Sequence, residues 1–287
     1  MKVWMTRALF ALLGLPLLFA GIMGGPAHAS ADMRVGVFSW SVENILEAEA
    51  RELLFNTLIE INAVEVYQSF HRDDTLDFLL EAHERGILVY ALAGQPEWGL
   101  DPQAKKMINE VNLVVALREK LGEAGPAGLM LDVEPYLTKA YRDDPERAMD
   151  AFVAAMRRTY DYAGDAGVEI IICIPYFIDS KGFPNHLRAL IEEASDAVAV
   201  MNYLKKSEWA NIETEVSIAR EAGKRVINIA ELQRPGMYDL TDRNTYYGEG
   251  LSAVWRSFDK LKNEFEYERL SFALHEYTAL REVINNE

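Results

Sequence analysis

The sequence predicts an α/β fold, a single-domain (β/α)8 TIM barrel preceded by a signal peptide. Short runs rich in β-branched and aromatic residues alternate with longer amphipathic runs eight times, which is typical of βα units around a parallel sheet. Eight such units in about 250 residues is the usual size of this barrel. The alternative, an open doubly wound sheet, usually has a glycine-rich phosphate turn after its first strand, where this chain has Phe38-Ser39-Trp40-Ser41.

Each predicted strand is a short apolar run, and the predicted helices lie between these runs. The predicted strands are Met33–Trp40, Ala63–Phe70, Ile87–Gly94, Gly128–Tyr136, Glu169–Phe177, Ala197–Leu204, Arg225–Gln233 and Leu270–Tyr277. The predicted helices are Glu43–Glu60, Thr75–Arg85, Pro102–Leu121, Pro145–Ala163, His186–Ala194, Ile212–Glu221, Gly250–Glu264 and a short tail helix, Ala279–Ile284. Glycines that follow several of these helices are suited to end them.

Composition and charge narrow the class of protein. The 287 residues are 50% hydrophobic and 26% charged, which excludes a disordered, collagen-like or multi-span membrane protein. The formal net charge of −16 disfavours nucleic acid and anionic membrane surfaces as partners. Cys173 is the single cysteine of the sequence, which excludes an intrachain disulfide and a cysteine-based zinc site. We expect no metal site and no cofactor.

The N-terminal segment has the pattern of a secretory signal peptide. Lys2 and Arg7 precede an apolar stretch over 8–23, and Ala27-His28-Ala29 supplies the small residues of a cleavage site. We therefore expect 1–29 to be removed and 30–287 to form the barrel domain, secreted or periplasmic and without stable membrane insertion after cleavage. An uncleaved single-span anchor is the alternative.

The reactive groups of such barrels lie at the carboxyl ends of the strands. The predicted strand ends combine carboxylates, amides and aromatic rings and contain no lysine or arginine, so a phosphate site is poorly supplied. Rings stack on sugars, amides bind hydroxyls, and paired acids act on a glycosidic oxygen, so we predict a carbohydrate substrate. The predicted substrate-binding residues are Trp40, Tyr67, Tyr136, Tyr176, Asn202, Tyr203, Gln233, His275 and Tyr277.

The strongest local signal is Gly128–Tyr136, which reads Gly-Leu-Met-Leu-Asp-Val-Glu-Pro-Tyr. Strand alternation places Asp132 and Glu134 on the inward face, about 6.5–7 Å apart along the strand. Their repulsion is expected to raise one of the two pKa values, which keeps a carboxylic acid protonated for use as a general acid. The alternative is a pair of acids that only caps the barrel through hydrogen bonds.

Further inward-facing polar residues come from other strands. Glu231, near the end of the seventh strand, is the third predicted catalytic residue; alternatively, it forms an ion pair with Arg34 or Arg225. His275 is expected to bind a substrate hydroxyl or to tune a carboxylate. Glu65 lies on the inward face of the second strand, and burial there requires a partner.

The pair at the end of the fourth strand resembles that of the family 18 chitinase-like hydrolases. In that family the glutamate matching Glu134 is the acid, and the aspartate matching Asp132 orients the acetamido group of the substrate. Met201-Asn202-Tyr203 is similar to the family's Met-x-Tyr, whose tyrosine assists. Met130 and Ala127 replace two earlier aspartates of the motif, and the eighth strand has no tryptophan.

A second resemblance is to the large clan of retaining glycosidases. In that clan a strand-four glutamate, here Glu134 before Pro135, is the acid/base, and a strand-seven glutamate, here Glu231, is the nucleophile. Val133 stands where that clan usually has asparagine. The layout over about 33–280 also resembles poorly characterised exported glycosidase-like barrels of bacteria.

These resemblances imply an exported O-glycosyl hydrolase that cleaves a poly- or oligosaccharide, with Glu134 as general acid/base. In one mechanism Glu231 attacks the anomeric carbon, which requires the two carboxyl groups to be about 5–5.5 Å apart. In the other, the substrate's own N-acetyl group attacks, Asp132 steadies it, and Glu231 binds a hydroxyl. The alternative functions are a non-catalytic carbohydrate-binding barrel and a structural partner in an envelope complex.

Overall fold

The computed structural model describes residues 29–30, 32–70 and 75–286 of the chain. Positions 1–28 of the predicted signal peptide lie outside these residues, so cleavage and export stay predictions. Ala29 is buried, and its carbonyl oxygen accepts a hydrogen bond of 3.1 Å from the side-chain amide of Asn62. Within the described residues, no helix is both long enough and apolar enough to cross a bilayer.

Eight parallel strands close into a barrel in the order of the sequence, which confirms the predicted (β/α)8 architecture. Each strand pairs with the next one along the chain, and the last pairs with the first through Val35 opposite Phe272. The strands are β1 Val35–Ser39, β2 Glu65–Ser69, β3 Leu88–Ala93, β4 Gly128–Leu131, β5 Glu169–Pro175, β6 Ala197–Met201, β7 Arg225–Glu231 and β8 Leu270–His275.

The helices surround the barrel and differ from the predicted set at two places. The helix predicted over Glu43–Glu60 is divided because Glu47 has an extended backbone, and an additional short helix follows β4. The helices are α1 Glu43–Leu46, α2 Ala48–Glu60, α3 Leu76–Glu84, α4 Lys105–Leu121, α5 Lys139–Asp143, α6 Pro145–Asp165, α7 Pro184–Glu193, α8 Glu208–Ala222, α9 Leu251–Phe265 and α10 Tyr277–Asn286.

The strands end earlier than the sequence predicts, most clearly β4, which stops at Leu131. The N–H of Asp132 still donates to the carbonyl oxygen of Ala93 at 2.9 Å, but the chain then leaves the sheet and enters a 3-10 turn at Pro135. The inward and outward alternation continues through this exit, since Val133 is buried in the outer core while Asp132 and Glu134 face the barrel. The two acids therefore stand on the mouth of the barrel.

The barrel interior is filled by side chains from alternate strand positions and has no channel through its middle. A separate, larger core lies between the strands and the helices. Gly36 of β1 is required by this packing, because a Cβ atom there would lie 2.5 Å from the hydroxyl oxygen of Tyr67. The interior residues are Phe38, Tyr67, Tyr90, Leu92, Met130, Ile171, Cys173, Ala197, Ala199, Ile227, Ile229 and Ala273.

A buried ion-pair cluster closes the amino end of the barrel. Glu65, the first residue of β2, is almost completely buried and pairs with both Arg34 and Arg225. Nη1 of Arg225 lies 2.9 Å from Oε1 of Glu65, and the hydroxyl of Tyr67 donates to Oε2 at 2.6 Å. Glu65 thus has the partner that its burial requires, and Arg34 and Arg225 pair with it and not with Glu231.

We predict that Glu65→Gln destabilises the protein by about 3–5 kcal/mol, because the change removes the carboxylate between Arg34 and Arg225 and leaves Arg225 with only its longer contact to the partly exposed Glu169. Urea denaturation followed by circular dichroism measures this free energy of unfolding. Glu169→Gln is the matched control: this glutamate also contacts Arg225 but is partly exposed, so its loss should cost about 1 kcal/mol or less. Equal losses of unfolding free energy in the two variants would contradict the larger stabilising role given to Glu65.

A second buried acid lies outside the barrel and has no partner. Glu215 of α8 is fully buried, and among the described residues neither of its carboxyl oxygens has a hydrogen-bond partner. Burial raises the pKa of Glu215 to about 8, and the nearby Asp179 adds to the rise. The folded chain therefore keeps this proton at neutral pH.

The unfolded chain releases the same proton near the ordinary glutamate pKa of 4.5. The free energy of unfolding should therefore fall as the pH rises from about 4.5 to about 8, by at most about 1.4 kcal/mol per pH unit from this group. We predict that Glu215→Gln removes this decline, measured by urea denaturation at a series of pH values. Glu213→Gln, an exposed neighbour on the same helix, should keep the wild-type slope.

Candidate active site

A cavity of about 480 Å³ lies at the carboxyl end of the barrel. Seven of the twelve sequence-predicted site residues line it, and none of its described lining residues is a lysine or arginine. The predicted residues in the lining are Trp40, Asp132, Glu134, Tyr203, Glu231, Gln233 and His275. The lining is completed by Phe38, Leu137, Cys173, Met201, Ile229, Tyr238 and Leu240.

Gly94 positions the main chain that carries the two acids of β4. This glycine follows β3, and a Cβ atom built on it would lie 1.8 Å from the carbonyl oxygen of Asp132. Any side chain at position 94 would therefore displace the segment that leaves β4. The absence of a side chain at Gly94 allows Asp132 and Glu134 to reach the mouth in consecutive inward positions.

Asp132 is the deeper of the two acids and the one whose pKa is raised. Burial is the main cause and Glu134 adds to it, so the pKa of Asp132 rises to about 7 although His275 and a hydrogen bond from the Cys173 thiol oppose the shift. Its Oδ1 atom is buried and has no hydrogen-bond partner among the described residues. A ligand that brings an N–H or O–H group into the cavity would satisfy this oxygen.

Glu134 is half-buried at the mouth, closer to solvent than Asp132. The hydroxyl of Tyr136 donates a hydrogen bond to its Oε2 atom. Burial and the charge of Glu134 raise the pKa of Tyr136 well above its ordinary value, so the hydroxyl remains a donor at any physiological pH. The ring of Tyr136 packs edge-on against Phe177, which fixes the direction of this hydrogen bond.

Glu231 and His275 form a pair across the last two strands. Oε2 of Glu231 lies 2.9 Å from Nδ1 of His275, and Oε1 accepts the main-chain N–H of Gln233 at 2.7 Å. Burial lowers the pKa of His275, but the hydrogen bond with Glu231 and the neighbouring carboxylates outweigh it, so the pKa lies above the ordinary 6.5. Among the described lining residues, this histidine is the one side chain that can carry a positive charge.

Aromatic side chains stand around the mouth. Trp40 follows β1 and Tyr203 follows β6, with the Tyr203 ring 6.2 Å from that of His275. The loop after β7 folds back so that Thr245 bridges to Glu231, and it contributes Tyr238 to the lining. Tyr238 is 81% exposed and forms one wall of the cavity, a position open to stack on a bound ring.

Several residues that line the cavity are not among the predicted site residues. Phe38 and Cys173 lie on inward faces of β1 and β5, so strand alternation could have identified them. Tyr238 and Leu240 lie in an irregular loop, where no periodic pattern indicates which side chains turn towards the mouth.

Five predicted substrate ligands lie outside the cavity lining. Tyr67 is buried at mid-barrel with its hydroxyl on Glu65, and Tyr277 is buried at the start of α10. Asn202 faces the helices, where its amide donates to Asn228 at 2.8 Å. Tyr176 packs against the outer core. Tyr136 donates a hydrogen bond from its hydroxyl to Glu134 but does not itself line the cavity. Each of these side chains either does not occupy an inward-facing position at the mouth or lies deeper in the barrel than the mouth.

The described residues contain no group of three or more histidine, cysteine, aspartate or glutamate side chains arranged to hold a metal ion.

Comparison with protein-family models finds no match for the sequence, and neither does comparison with curated proteins. Solved structures do match. A proposed α-L-fucosidase from Bacteroides thetaiotaomicron aligns over 96% of each chain with a TM-score of 0.57 and 13% identity. A GH18 chitinase from Pseudoalteromonas aurantia aligns over 86% of this chain and 94% of its own with a TM-score of 0.53 and 9% identity. The chain shares its fold with glycoside hydrolases.

The predicted likeness to glycosidase barrels is thereby confirmed at the level of the fold. A D-psicose 3-epimerase from Clostridium cellulolyticum also aligns, over 83% of this chain and 100% of its own, with a TM-score of 0.50 and 12% identity. Because the identities are so low, the fold alone is shared, and the reaction has to be inferred from the site.

We predict that Asp132 titrates near pH 7 in the unliganded protein and that Glu134→Gln lowers this pKa, because the change removes a neighbouring negative charge. NMR of protein labelled with ¹³C at the aspartate carboxyl carbons measures the titration. Glu52→Gln, on the exposed face of α2, is the control and should leave it unchanged. An Asp132 pKa near 4 in the wild type would contradict the assigned burial.

Proposed function

We propose that the protein is a glycoside hydrolase that cleaves a poly- or oligosaccharide with Glu134 as the general acid/base. The observation that carries the proposal is the stacked pair at the exit of β4. There Glu134 is half-buried at the mouth and Asp132 lies beneath it with a raised pKa and an unpaired oxygen. Two acids held in different environments are what acid-catalysed cleavage of a glycosidic bond requires.

The other walls of the cavity also fit a sugar. Trp40, Tyr203 and Tyr238 offer ring faces for the C–H surfaces of a pyranose, and no described lining residue is a lysine or arginine, which disfavours a phosphorylated ligand. The volume of about 480 Å³ is within the usual range of small-molecule sites. The fold shared with a chitinase and a proposed fucosidase supports the same reaction class without selecting the sugar.

In the proposed reaction, Glu134 gives its proton to the glycosidic oxygen as the bond from that oxygen to the anomeric carbon breaks. The electron pair of the bond leaves with the departing alcohol, and positive charge develops on the anomeric carbon. An oxygen nucleophile, from water or from the substrate, then forms the new bond to this carbon, and the water that completes the hydrolysis gives one proton back to Glu134. Asp132 lies beneath the acid, placed to accept a hydrogen bond from the sugar through its unpaired Oδ1 atom.

Export is part of the proposal. The N-terminal pattern with Lys2, Arg7 and Ala27-His28-Ala29 supports a secreted or periplasmic enzyme. An enzyme in that compartment would meet polymeric or oligomeric glycans outside the cytoplasm.

A non-catalytic carbohydrate-binding barrel is the second candidate, and one observation favours it. Met130 is fully buried beneath Asp132, where the family 18 motif has a further aspartate. The position beneath Asp132 is thus apolar, whereas the family motif has a carboxyl group there. The cavity could then bind a glycan without cleaving it.

We predict that the wild type hydrolyses at least one of three substrates, namely chitotetraose, 4-nitrophenyl α-L-fucoside and peptidoglycan. Glu134→Gln should lower kcat about 10²–10⁴-fold, because the amide cannot donate the proton, while the glycan still binds. Reducing-sugar release measures the first quantity and isothermal titration calorimetry the second. Glu52→Gln is the control for a glutamate lost from the exposed surface.

The outcomes separate the two candidates. Hydrolysis that disappears in Glu134→Gln while binding persists supports the enzyme. Binding to the wild type without turnover of any substrate supports the binding barrel, and unchanged hydrolysis in Glu134→Gln overturns the role given to this residue.

A further inference from the structure

Each of the three oxygen atoms of Glu231 has a hydrogen-bond partner. Its Oε1 accepts the N–H of Gln233 at 2.7 Å, its Oε2 lies 2.9 Å from Nδ1 of His275, and its carbonyl oxygen accepts the N–H of Tyr246 at 2.8 Å. The residue is only 2% exposed. Both carboxyl oxygens are thus held by hydrogen bonds to the main chain and to the His275 ring, and the carboxylate is almost completely withdrawn from solvent.

His275 lines the cavity beside Glu231 but is more exposed, with 19% of its side chain accessible against 2% for Glu231. Since Nδ1 faces Glu231, the other ring nitrogen, Nε2, is left without a hydrogen-bond partner among the described residues while the ring lines the cavity. The ring plane is fixed by edge contact with Phe38, whose centroid lies 5.4 Å away, and by Tyr203. The free nitrogen is therefore presented in one defined direction.

The surroundings of His275 favour a proton on both ring nitrogens. The titratable groups that face it are Glu231 from β7, Asp132 from the exit of β4, Tyr203 from the exit of β6, and Glu276 next to it in the chain. Burial lowers the pKa of the ring, but the bond to Glu231 and the carboxylate charges raise it above 6.5. When the ring is charged, Nε2 is a hydrogen-bond donor that faces a cavity with three carboxyl groups in its lining.

We propose that Glu231 is a positioning residue and that Nε2–H of His275, in place of Glu231, contacts the substrate by donating a hydrogen bond to a sugar oxygen. The proposal rests on the proposed hydrolase function and deepens it, because it assigns the pair on β7 and β8 to substrate positioning. No covalent bond forms between Glu231 and the sugar, so the attacking oxygen comes from water or from the substrate itself.

Two isosteric variants test which member of the pair meets the sugar. His275→Asn places its amide nitrogen where Nδ1 was, so it keeps the bond to Glu231 and loses the Nε2 donor. Glu231→Gln keeps the shape of the pair and removes the charge. We expect His275→Asn to lower kcat/KM about 10²-fold on the wild type's best substrate among chitotetraose, 4-nitrophenyl α-L-fucoside and peptidoglycan. Glu231→Gln should lower it by no more.

The double variant should be no worse than His275→Asn alone, because Glu231 acts through the histidine. A greater loss in Glu231→Gln than in His275→Asn would overturn the proposal, since a nucleophile or direct ligand does not depend on the ring. If Glu231→Gln fails to fold by near-ultraviolet circular dichroism, His275→Asn decides alone: retained activity overturns the proposal, and the expected loss supports it.

A second measurement needs no substrate. Long-range ¹H–¹⁵N NMR of the unliganded protein reports the tautomer and pKa of His275. We expect the neutral ring to carry its proton on Nδ1 and its pKa to lie above 6.5 and to fall in Glu231→Gln. Glu276→Gln is the matched control and should shift the pKa less, because Glu276 forms no hydrogen bond with the ring.

A neutral tautomer with the proton on Nε2, or a His275 pKa that Glu231→Gln leaves unchanged, would overturn the positioning role. The two failures are distinguishable. If no glycan is cleaved, the hydrolase proposal fails while the NMR result still decides whether Glu231 positions the ring.

Discussion

The structure depends on how a closed barrel treats the acids that point into it. Side chains alternate along each strand, so every second residue is withdrawn from water, and the middle of the barrel is filled by apolar and aromatic groups. Carboxylates are found only at the two ends, and each end must compensate the cost of burying them. The two ends do so with different chemistry.

At the amino end, Glu65 is compensated by full charges. Arg34 and Arg225 lie against it, and the hydroxyl of Tyr67 completes the set, so each lone pair is used and the cluster is closed. This arrangement fixes the ends of β1, β2 and β7 together. It leaves nothing free to react, as expected of the stabilising end of such a barrel.

At the carboxyl end, no arginine or lysine among the described residues lines the cavity. Asp132 is compensated by a raised pKa, Glu134 by a tyrosine hydroxyl, and Glu231 by a histidine and a main-chain N–H. Each of these solutions involves a proton that can move or a hydrogen bond that can be exchanged. The amino end offsets the cost of burying its carboxylate with fixed charges. The mouth offsets this cost with groups that exchange protons or hydrogen bonds, and such groups can react with a ligand.

Much of this could be predicted from the sequence, because alternation and strand order are local patterns. They placed Asp132, Glu134, Glu231 and His275 on inward faces. They could not tell that β4 ends at Leu131, because the exit from a sheet depends on the neighbouring strand. The sequence also did not indicate that Tyr238 turns towards the mouth, since this depends on how an irregular loop packs against distant parts of the chain.

The contact between Gly94 and the carbonyl of Asp132 has a consequence for any effort to re-engineer the specificity of this barrel. Position 94 contributes no atom to the cavity, so a library designed from the lining residues would leave it out, and one that included it would find nearly every replacement inactive. Trp40 and Tyr238 line the cavity with their side chains, so exchanging them would alter its walls without displacing the main chain that carries the acids. Substitutions can therefore reshape the rim of the mouth, whereas its floor depends on Gly94, which contributes no atom to the cavity.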